Sequence, residues 1–127
     1  VHTYTGFQKK VESLRSDFLE FLKTVKQENK KVIAYGAAAK GNTLLNFSGV
    51  TTDDISVVYD AAPSKQNMFL PGSGIPIKPP SELKENDGDF MLILPWNLAS
   101  EIITELECNV PEFVKCFTAV PRIKFYE

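Results

Sequence analysis

The fold is decided by one stretch of the chain, Val32-Ile33-Ala34-Tyr35-Gly36-Ala37-Ala38-Ala39-Lys40-Gly41-Asn42-Thr43. Its first four residues form a short apolar run that stops at a glycine, which is typical of a buried strand in a parallel sheet. The octet that follows, residues 36–43, is rich in small residues, and the segment after it ends at Gly49. The stretch therefore predicts a strand, a tight turn and a helix that stops at a glycine.

Similar patterns on both sides of this stretch predict the rest of the architecture. Apolar residues recur every three or four positions from Phe7 to Val25, which predicts an amphipathic N-terminal helix. Apolar runs predict strands at 55–59, 90–94 and 113–120, with a small strand at 75–77 and a helix that starts near Asn97. Strands that alternate with helices at these spacings indicate an α/β fold with a mostly parallel sheet.

Between these elements, residues 61–80 contain five of the eight prolines, and we interpret them as an ordered loop. The segment is too apolar for a linker, because five of its side chains are expected to be buried. These are Met68, Phe69, Leu70, Ile75 and Ile77. Ser81 is expected to cap a short helix that reaches Lys84.

Composition and charge exclude several classes of function. The 127 residues predict a single domain, residues 1–127, and 14 Lys and Arg against 16 Asp and Glu give no reason to expect nucleic-acid binding. The chain has neither an apolar run of about 18 residues nor a signal peptide, so we expect a cytoplasmic protein without a membrane partner. Because it begins with Val1, we expect it to be part of a longer polypeptide.

Histidine and cysteine are too few for most metal or nucleophilic chemistry. His2 is the only histidine, and Cys108 and Cys116 are expected to be buried as small apolar side chains. A metal site would lack ligands, and a Ser-His or Cys-His pair is not expected. The sequence therefore predicts no metal site and no catalytic residue in this chain.

The octet can be compared with the dinucleotide-binding fingerprint. It has Gly36, then Ala38 in place of the second glycine, then Gly41, between a strand and a helix as that motif requires. Small residues there let backbone amides and the helix dipole hold an anion. Asp60 stands nineteen residues after Gly41 at the end of the next strand, where an acidic residue can accept hydrogen bonds from ribose hydroxyls.

Two other interpretations of the octet can be compared with the dinucleotide fingerprint. A phosphate-binding P-loop needs Lys directly after its second glycine, whereas Asn42 follows Gly41 and Lys40 precedes it, so NTP hydrolysis is not expected. Alternatively, the small residues only let the helix pack closely on the sheet, and Asn42 or Thr43 caps it. The octet alone leaves ligand binding and packing equally open.

Three further residues are predicted to lie near the carboxyl ends of the strands, where ligands of parallel sheets bind. Lys65, on the proline-rich loop, suits a diphosphate but is equally compatible with a solvated charge. Trp96 is placed to stack on a base or sugar, or else to cover the core or a partner domain. Asn97 follows it at the same edge.

Several longer motifs together resemble the C-terminal domain of the sugar C-methyltransferase family. They are Tyr35 to Asn46, Ser64-Lys65-Gln66, Leu70-Pro71-Gly72 with Ile75-Pro76-Ile77, and Leu92 to Ala99. The resemblance extends from about Phe7 to Pro121, so it covers nearly the whole chain. Several motifs in the right order make it far more specific than the fingerprint alone.

This resemblance implies a Rossmann-like three-layer module that follows a separate methyltransferase domain. S-adenosylmethionine would bind to that neighbouring domain, no cofactor would bind here, and this module, inactive alone, would help to hold a nucleotide-linked sugar between the two. The residues expected to bind substrate are Gly36, Ala37, Ala38, Lys40, Gly41, Asn42, Thr43, Asp60, Lys65, Trp96 and Asn97.

The sequence departs from the family pattern at three places. Asn67 stands where Gly follows Lys-Gln, Ser73-Gly74 where Thr-His often precedes Ile-Pro-Ile, and Ala61-Ala62 where Arg-Asn is common. Two functions therefore stay open beside the substrate-binding module. One is an NAD(P)- or other nucleotide-binding domain, and the other is a non-catalytic interaction or scaffold domain.

Overall fold

The computed structural model describes residues 2–83, 88–106, 114–120 and 123–126. Three α-helices and six strands occur in these ranges, in the order α1 His2–Gln27, β1 Val32–Tyr35, α2 Ala39–Ser48, β2 Ile55–Tyr59, β3 Ile77–Lys78, β4 Phe90–Ile93, α3 Ala99–Leu106, β5 Lys115–Thr118 and β6 Lys124–Tyr126. Two 3₁₀ turns, Pro80–Glu82 and Trp96–Leu98, precede β4 and α3 respectively.

The six strands form one sheet in the order β3-β2-β1-β4-β5-β6. Strands β1 to β5 pair in parallel, and only β6 is antiparallel to its neighbour. The predicted mostly parallel α/β sheet is confirmed. After β3 the chain crosses to the other side of β1, so the strand order reverses between β1 and β4, which is where open parallel sheets bind ligands.

Helices cover both faces of the sheet and produce the predicted three layers. On one face, α1 and α2 contribute Phe18, Leu22, Val25, Leu44 and Leu45 to a core that includes residues of β1, β2, β4 and β5. On the other face, α3 packs against Ile33, Met91 and Ile93. Burial on both faces explains why β1 and β4 are continuous apolar runs in the sequence.

Strand β6 was not predicted, because three residues at a sheet edge carry too short a pattern. Its Phe125 joins Phe21, Phe90 and Phe117 in an aromatic cluster, with ring centroids 4.9–6.3 Å apart. Because Phe21 lies on α1, this cluster fixes the N-terminal helix over β4, β5 and β6.

The loop before β3 ends in a hairpin, residues 67–77, in which Phe69 pairs with Pro76. Leu70, Ile75 and Ile77 are buried as predicted. The prediction is wrong for Met68 and Phe69, whose side chains are 57% and 66% exposed. The hairpin lies at the edge of the sheet beside β3, so only one of its sides contacts the core.

The structure also tests the predictions for Ser81 and for Cys116. Ser81 caps no helix, because the segment is a 3₁₀ turn that starts after Pro79 without a side-chain cap, and Lys84 lies outside the described residues. Cys116 is a buried free cysteine, and burial raises the pKa of its thiol, which keeps it protonated at neutral pH. Cys108 lies outside the described residues.

The described residues hold neither a membrane-spanning helix nor a cluster of metal ligands. No helix among them is both long and apolar enough to cross a membrane. In the same residues, His, Cys, Asp and Glu side chains nowhere gather in a group of three or more that could hold a metal ion.

Candidate functional site

The turn after β1, residues 36–38, lies at the point where the strand order reverses. Gly36 has φ of +86° and donates its N–H to the carbonyl of Tyr59 at 2.8 Å. A Cβ atom at Gly36 would lie 2.6 Å from Cδ of Pro95, the second residue after β4. Glycine is therefore required here both for its backbone conformation and for close packing against a proline ring.

Helix α2 begins directly after this turn, and no side chain caps it. The residue at the cap position is Ala38, which forms no side-chain hydrogen bond. Neither Asn42 nor Thr43 is the cap that the sequence suggested, since both lie inside the first turns and the Thr43 hydroxyl donates to the Ala39 carbonyl at 3.0 Å. Because the first amides of an α-helix lack intrahelical acceptors, the N–H groups of residues 39–41 are left for another partner.

Gly41 allows α2 to pack closely against the sheet. A Cβ atom there would lie 2.5 Å from the Cβ of Leu94, so only glycine lets α2 approach the end of β4 this closely. The structure thus supports the close-packing interpretation for this glycine. Asn42 follows it, and its Oδ1 atom is buried without a hydrogen bond from the described residues.

Asp60, at the end of β2, contacts two loops with its carboxylate. Its Oδ2 atom accepts the N–H of Ala37 at 2.8 Å, and its Oδ1 atom accepts the N–H of Ala62 at 2.8 Å. The side chain is only 13% exposed. The sequence suggested that an acidic residue here can accept hydrogen bonds from ribose hydroxyls; in this structure each carboxylate oxygen accepts a hydrogen bond from a backbone amide.

Lys65 reaches the same turn from the loop that follows β2. Its Nζ atom donates to the carbonyl of Ala37 at 3.0 Å and lies 4.0 Å from Oδ2 of Asp60. The neighbouring Gln66 donates from Nε2 to the carbonyl of Asp60 at 3.0 Å. The structure therefore places Lys65 and Asp60 together against the turn after β1.

Trp96 and Asn97 occupy the 3₁₀ turn after β4, on the same edge of the sheet. Trp96 is half-buried and Asn97 is exposed. Lys40, in the first turn of α2, is also exposed and has no ion pair among the described residues. Polar groups and one aromatic side chain thus lie along the edge where the turns of β1 and β4 meet.

Sequence reasoning did not include Gln66 or Pro95 among the site residues, although both belong to the quoted family motifs. Asn67 adopts φ of +66° at the position where the family pattern has Gly. Asn is one of the few L-residues that adopt this left-handed conformation readily. The departure at Asn67 therefore preserves the backbone conformation that the family's glycine would allow.

A second concave region lies away from this edge. A groove of about 520 Å³ is lined by α1, the start of β1, β2 and one residue of β3, with Lys26, Lys30, Lys31, Asp53 and Asp54 among its residues. Its charges are of both signs, and Lys26 already pairs with Asp54 at 3.8 Å. This groove contains none of the predicted site residues.

Comparison with known proteins agrees with the motifs. A family model described as the C-methyltransferase C-terminal domain matches residues 1–121. The chain is also similar to the C-methyltransferase NovU of Streptomyces niveus, with 38% identity over 112 residues. That match covers 88% of this chain and 26% of the other protein, so the chain spans about a quarter of this relative's length.

Proposed function

The chain belongs to the family of C-methyltransferase C-terminal domains, and we propose that it is a substrate-binding module of a larger methyltransferase. In this proposal, residues 1–127 form one domain that helps to hold a nucleotide-linked sugar, or a similar phosphorylated substrate. A preceding domain of the same cytoplasmic protein binds S-adenosylmethionine, which supplies the methyl group. This chain contributes binding and orientation, and it is not catalytic alone.

The observation that carries the proposal is the uncapped start of α2 at the point where the strand order reverses. Three consecutive amides, those of residues 39–41, point out of the helix at its positive end, which favours a phosphate group. No acidic residue lies in the first turn of α2. The exposed Lys40 adds a cation at the same place.

The carboxylate that contacts the adjacent turn does not repel an anion there as a free carboxylate would. The Asp60 carboxylate is largely buried, is hydrogen-bonded to two amides, and has the Lys65 ammonium 4.0 Å away. A diphosphate that approaches α2 therefore meets a charge pair rather than a free carboxylate.

The arrangement differs from the one in which dinucleotide-binding sheets hold NAD. In dinucleotide-binding sheets the pyrophosphate lies in the crevice between the two strands where the order reverses. Here the Pro95 ring packs against Gly36 at that point, and Ala38 adds a methyl group where the fingerprint has glycine. A ligand would instead lie over the outside of the turn, with Trp96 and Asn97 beside it.

A titration with a nucleotide sugar tests the proposal. With the ¹⁵N-labelled chain, we expect UDP-glucose and TDP-glucose at millimolar concentration to shift the amide signals of residues 36–43 more than any others. Replacement Lys40→Ala should weaken the affinity about fivefold, since one partly solvated contact between Lys and phosphate contributes about 1 kcal/mol.

The matched control is Lys115→Ala, which removes the same charge from an exposed position at the start of β5. It should leave the affinity unchanged. If neither sugar nucleotide shifts the signals of residues 36–43, the substrate-binding proposal is wrong. The scaffold alternative then becomes the better explanation of the small residues.

A further inference from the structure

Resting on the proposed function, we infer that Asp60 and Lys65 are positioning residues, which prepare the turn of residues 36–38 for an anion without contacting it. Together they hold both polar groups of Ala37. The Asp60 carboxylate accepts the Ala37 N–H at 2.8 Å, and the Lys65 ammonium donates to the Ala37 carbonyl at 3.0 Å. We refer to Asp60 and Lys65 as the Ala37 clamp.

The clamp is itself fixed by the rest of the sheet edge. The backbone N–H of Asp60 donates to the carbonyl of Lys78 on β3 at 3.0 Å, and Gln66 donates to the carbonyl of Asp60. The other carboxylate oxygen binds the Ala62 amide. Asp60 therefore connects the end of β2, the adjacent edge strand and the following loop to the turn after β1.

This geometry explains how the turn can be ordered before a ligand arrives. With its N–H and carbonyl both engaged, Ala37 cannot turn its carbonyl toward the free amides at the start of α2, so these amides stay available to a ligand. A site that is already ordered loses less conformational entropy on binding. The clamp also keeps a carboxylate and an ammonium together near the site, which limits repulsion of a diphosphate.

A positioning role and a direct contact predict different effects of an Asp60 substitution on the affinities of different ligands. If Asp60 contacted ribose hydroxyls, its replacement would weaken only ligands that contain ribose. If it positions the turn, any diphosphate should be affected alike. UDP and inorganic pyrophosphate are the two probes that separate these cases, since they share the diphosphate but only UDP has ribose.

The test measures binding of both probes to the 127-residue chain and to Asp60→Asn by NMR titration. We expect Asp60→Asn to weaken UDP and pyrophosphate by the same factor, about tenfold, since a hydrogen bond to a charged group is lost at the turn. Without ligand, hydrogen exchange at the Ala37 amide should accelerate about tenfold. The Val58 amide, bonded to Pro76, should be unaffected.

Lys65→Met provides a second variant if Asp60→Asn does not fold. It should also weaken both probes equally, and Lys65→Arg, which keeps a charged donor, should restore most of the affinity. Loss of UDP binding alone, or no change for either probe, would overturn the positioning role while leaving the proposed function intact. If the unmodified chain binds neither probe, the proposed function fails and the inference fails with it.

Discussion

Two loops beside β1 and β2 use glycine in different ways. In the turn after β1, Gly36 has φ of +86° and contacts the ring of Pro95. In the hairpin of residues 67–77, Gly72 has φ of +90°, and a Cβ atom there would lie 2.3 Å from Oδ1 of Asn46. Both glycines have a positive φ and a close neighbour, but the first neighbour is a rigid ring and the second is the end of a mobile side chain.

The loops also differ in what surrounds them. Both polar groups of Ala37 in the β1 turn are held by distant side chains, whereas the hairpin leaves Met68 and Phe69 largely exposed. The hairpin contacts α2 through the amide of Asn46, which donates to the Pro71 carbonyl at 3.0 Å. The loop whose backbone is held by side chains distant in the sequence is thus the one that forms the candidate site, as preorganised binding requires.

The largest effect is expected from alanine at the first glycine. Gly36→Ala should destabilise the protein by about 4 kcal/mol, since a positive φ costs an L-residue about 1–2 kcal/mol and overlap with a rigid neighbour about 1–3 kcal/mol. Gly72→Ala should cost about 2 kcal/mol because Asn46 can move. Gly49→Ala, with φ of +71° and no atom within 4 Å of an added Cβ, isolates the backbone contribution at about 1 kcal/mol.

These free energies come from urea unfolding followed by circular dichroism. Equal losses at Gly36 and Gly72 would show that the rigidity of the neighbour is unimportant. The proposed difference between the two loops would then be wrong.

The next largest difference in stability is expected between alanine variants of two adjacent hairpin residues. Leu70→Ala should cost about 3 kcal/mol, because Leu70 is 4% exposed and its removal leaves a cavity in the core. Phe69→Ala should cost less than about 0.5 kcal/mol, since its ring is mostly in solvent. Thermal and urea unfolding of both variants measure this difference, and a large loss for Phe69→Ala would mean that the ring is buried in the native protein.

The smallest effect concerns Asn67, which has φ of +66° in the hairpin. Asn67→Gly should change stability by no more than about 0.5 kcal/mol, because both residues tolerate this conformation. Asn67→Ala should cost about 1 kcal/mol for the same backbone reason. Urea unfolding checks both, and a neutral alanine variant would contradict a left-handed conformation at this position.

The sequence predicted most of the elements near the site and fewer of their contacts. The apolar runs located β1, β2 and β4, and Gly49 ends α2 as expected, with φ of +71°. Burial on both faces produces a strong local pattern, so these elements were the easiest to find. The edge strand β6 and the exposed side chains of Met68 and Phe69 were missed, because exposure at a sheet edge depends on what covers it.

The sequence indicated which residue types lie after β1 and β2, but not the hydrogen bonds and contacts that these residues form. Small residues after β1 and an acid after β2 were visible in the sequence, but the cap at Asn42 or Thr43, which the packing interpretation included, does not form. The actual cap residue, Ala38, has no side-chain donor or acceptor. No local pattern predicts that a helix will begin without a capping side chain.

The sequence by itself determined the alternation of strands and helices up to β5, the turn of small residues after β1 and the family, because hydrophobic periodicity and motifs are local properties. Only the tertiary structure decided that Asp60 and Lys65 close on Ala37, across 23 and 28 residues, and that Pro95 packs on Gly36. These contacts depend on which strands become neighbours. In a parallel sheet the ends of adjacent strands meet after long crossovers, so chain separation carries no information about their contacts.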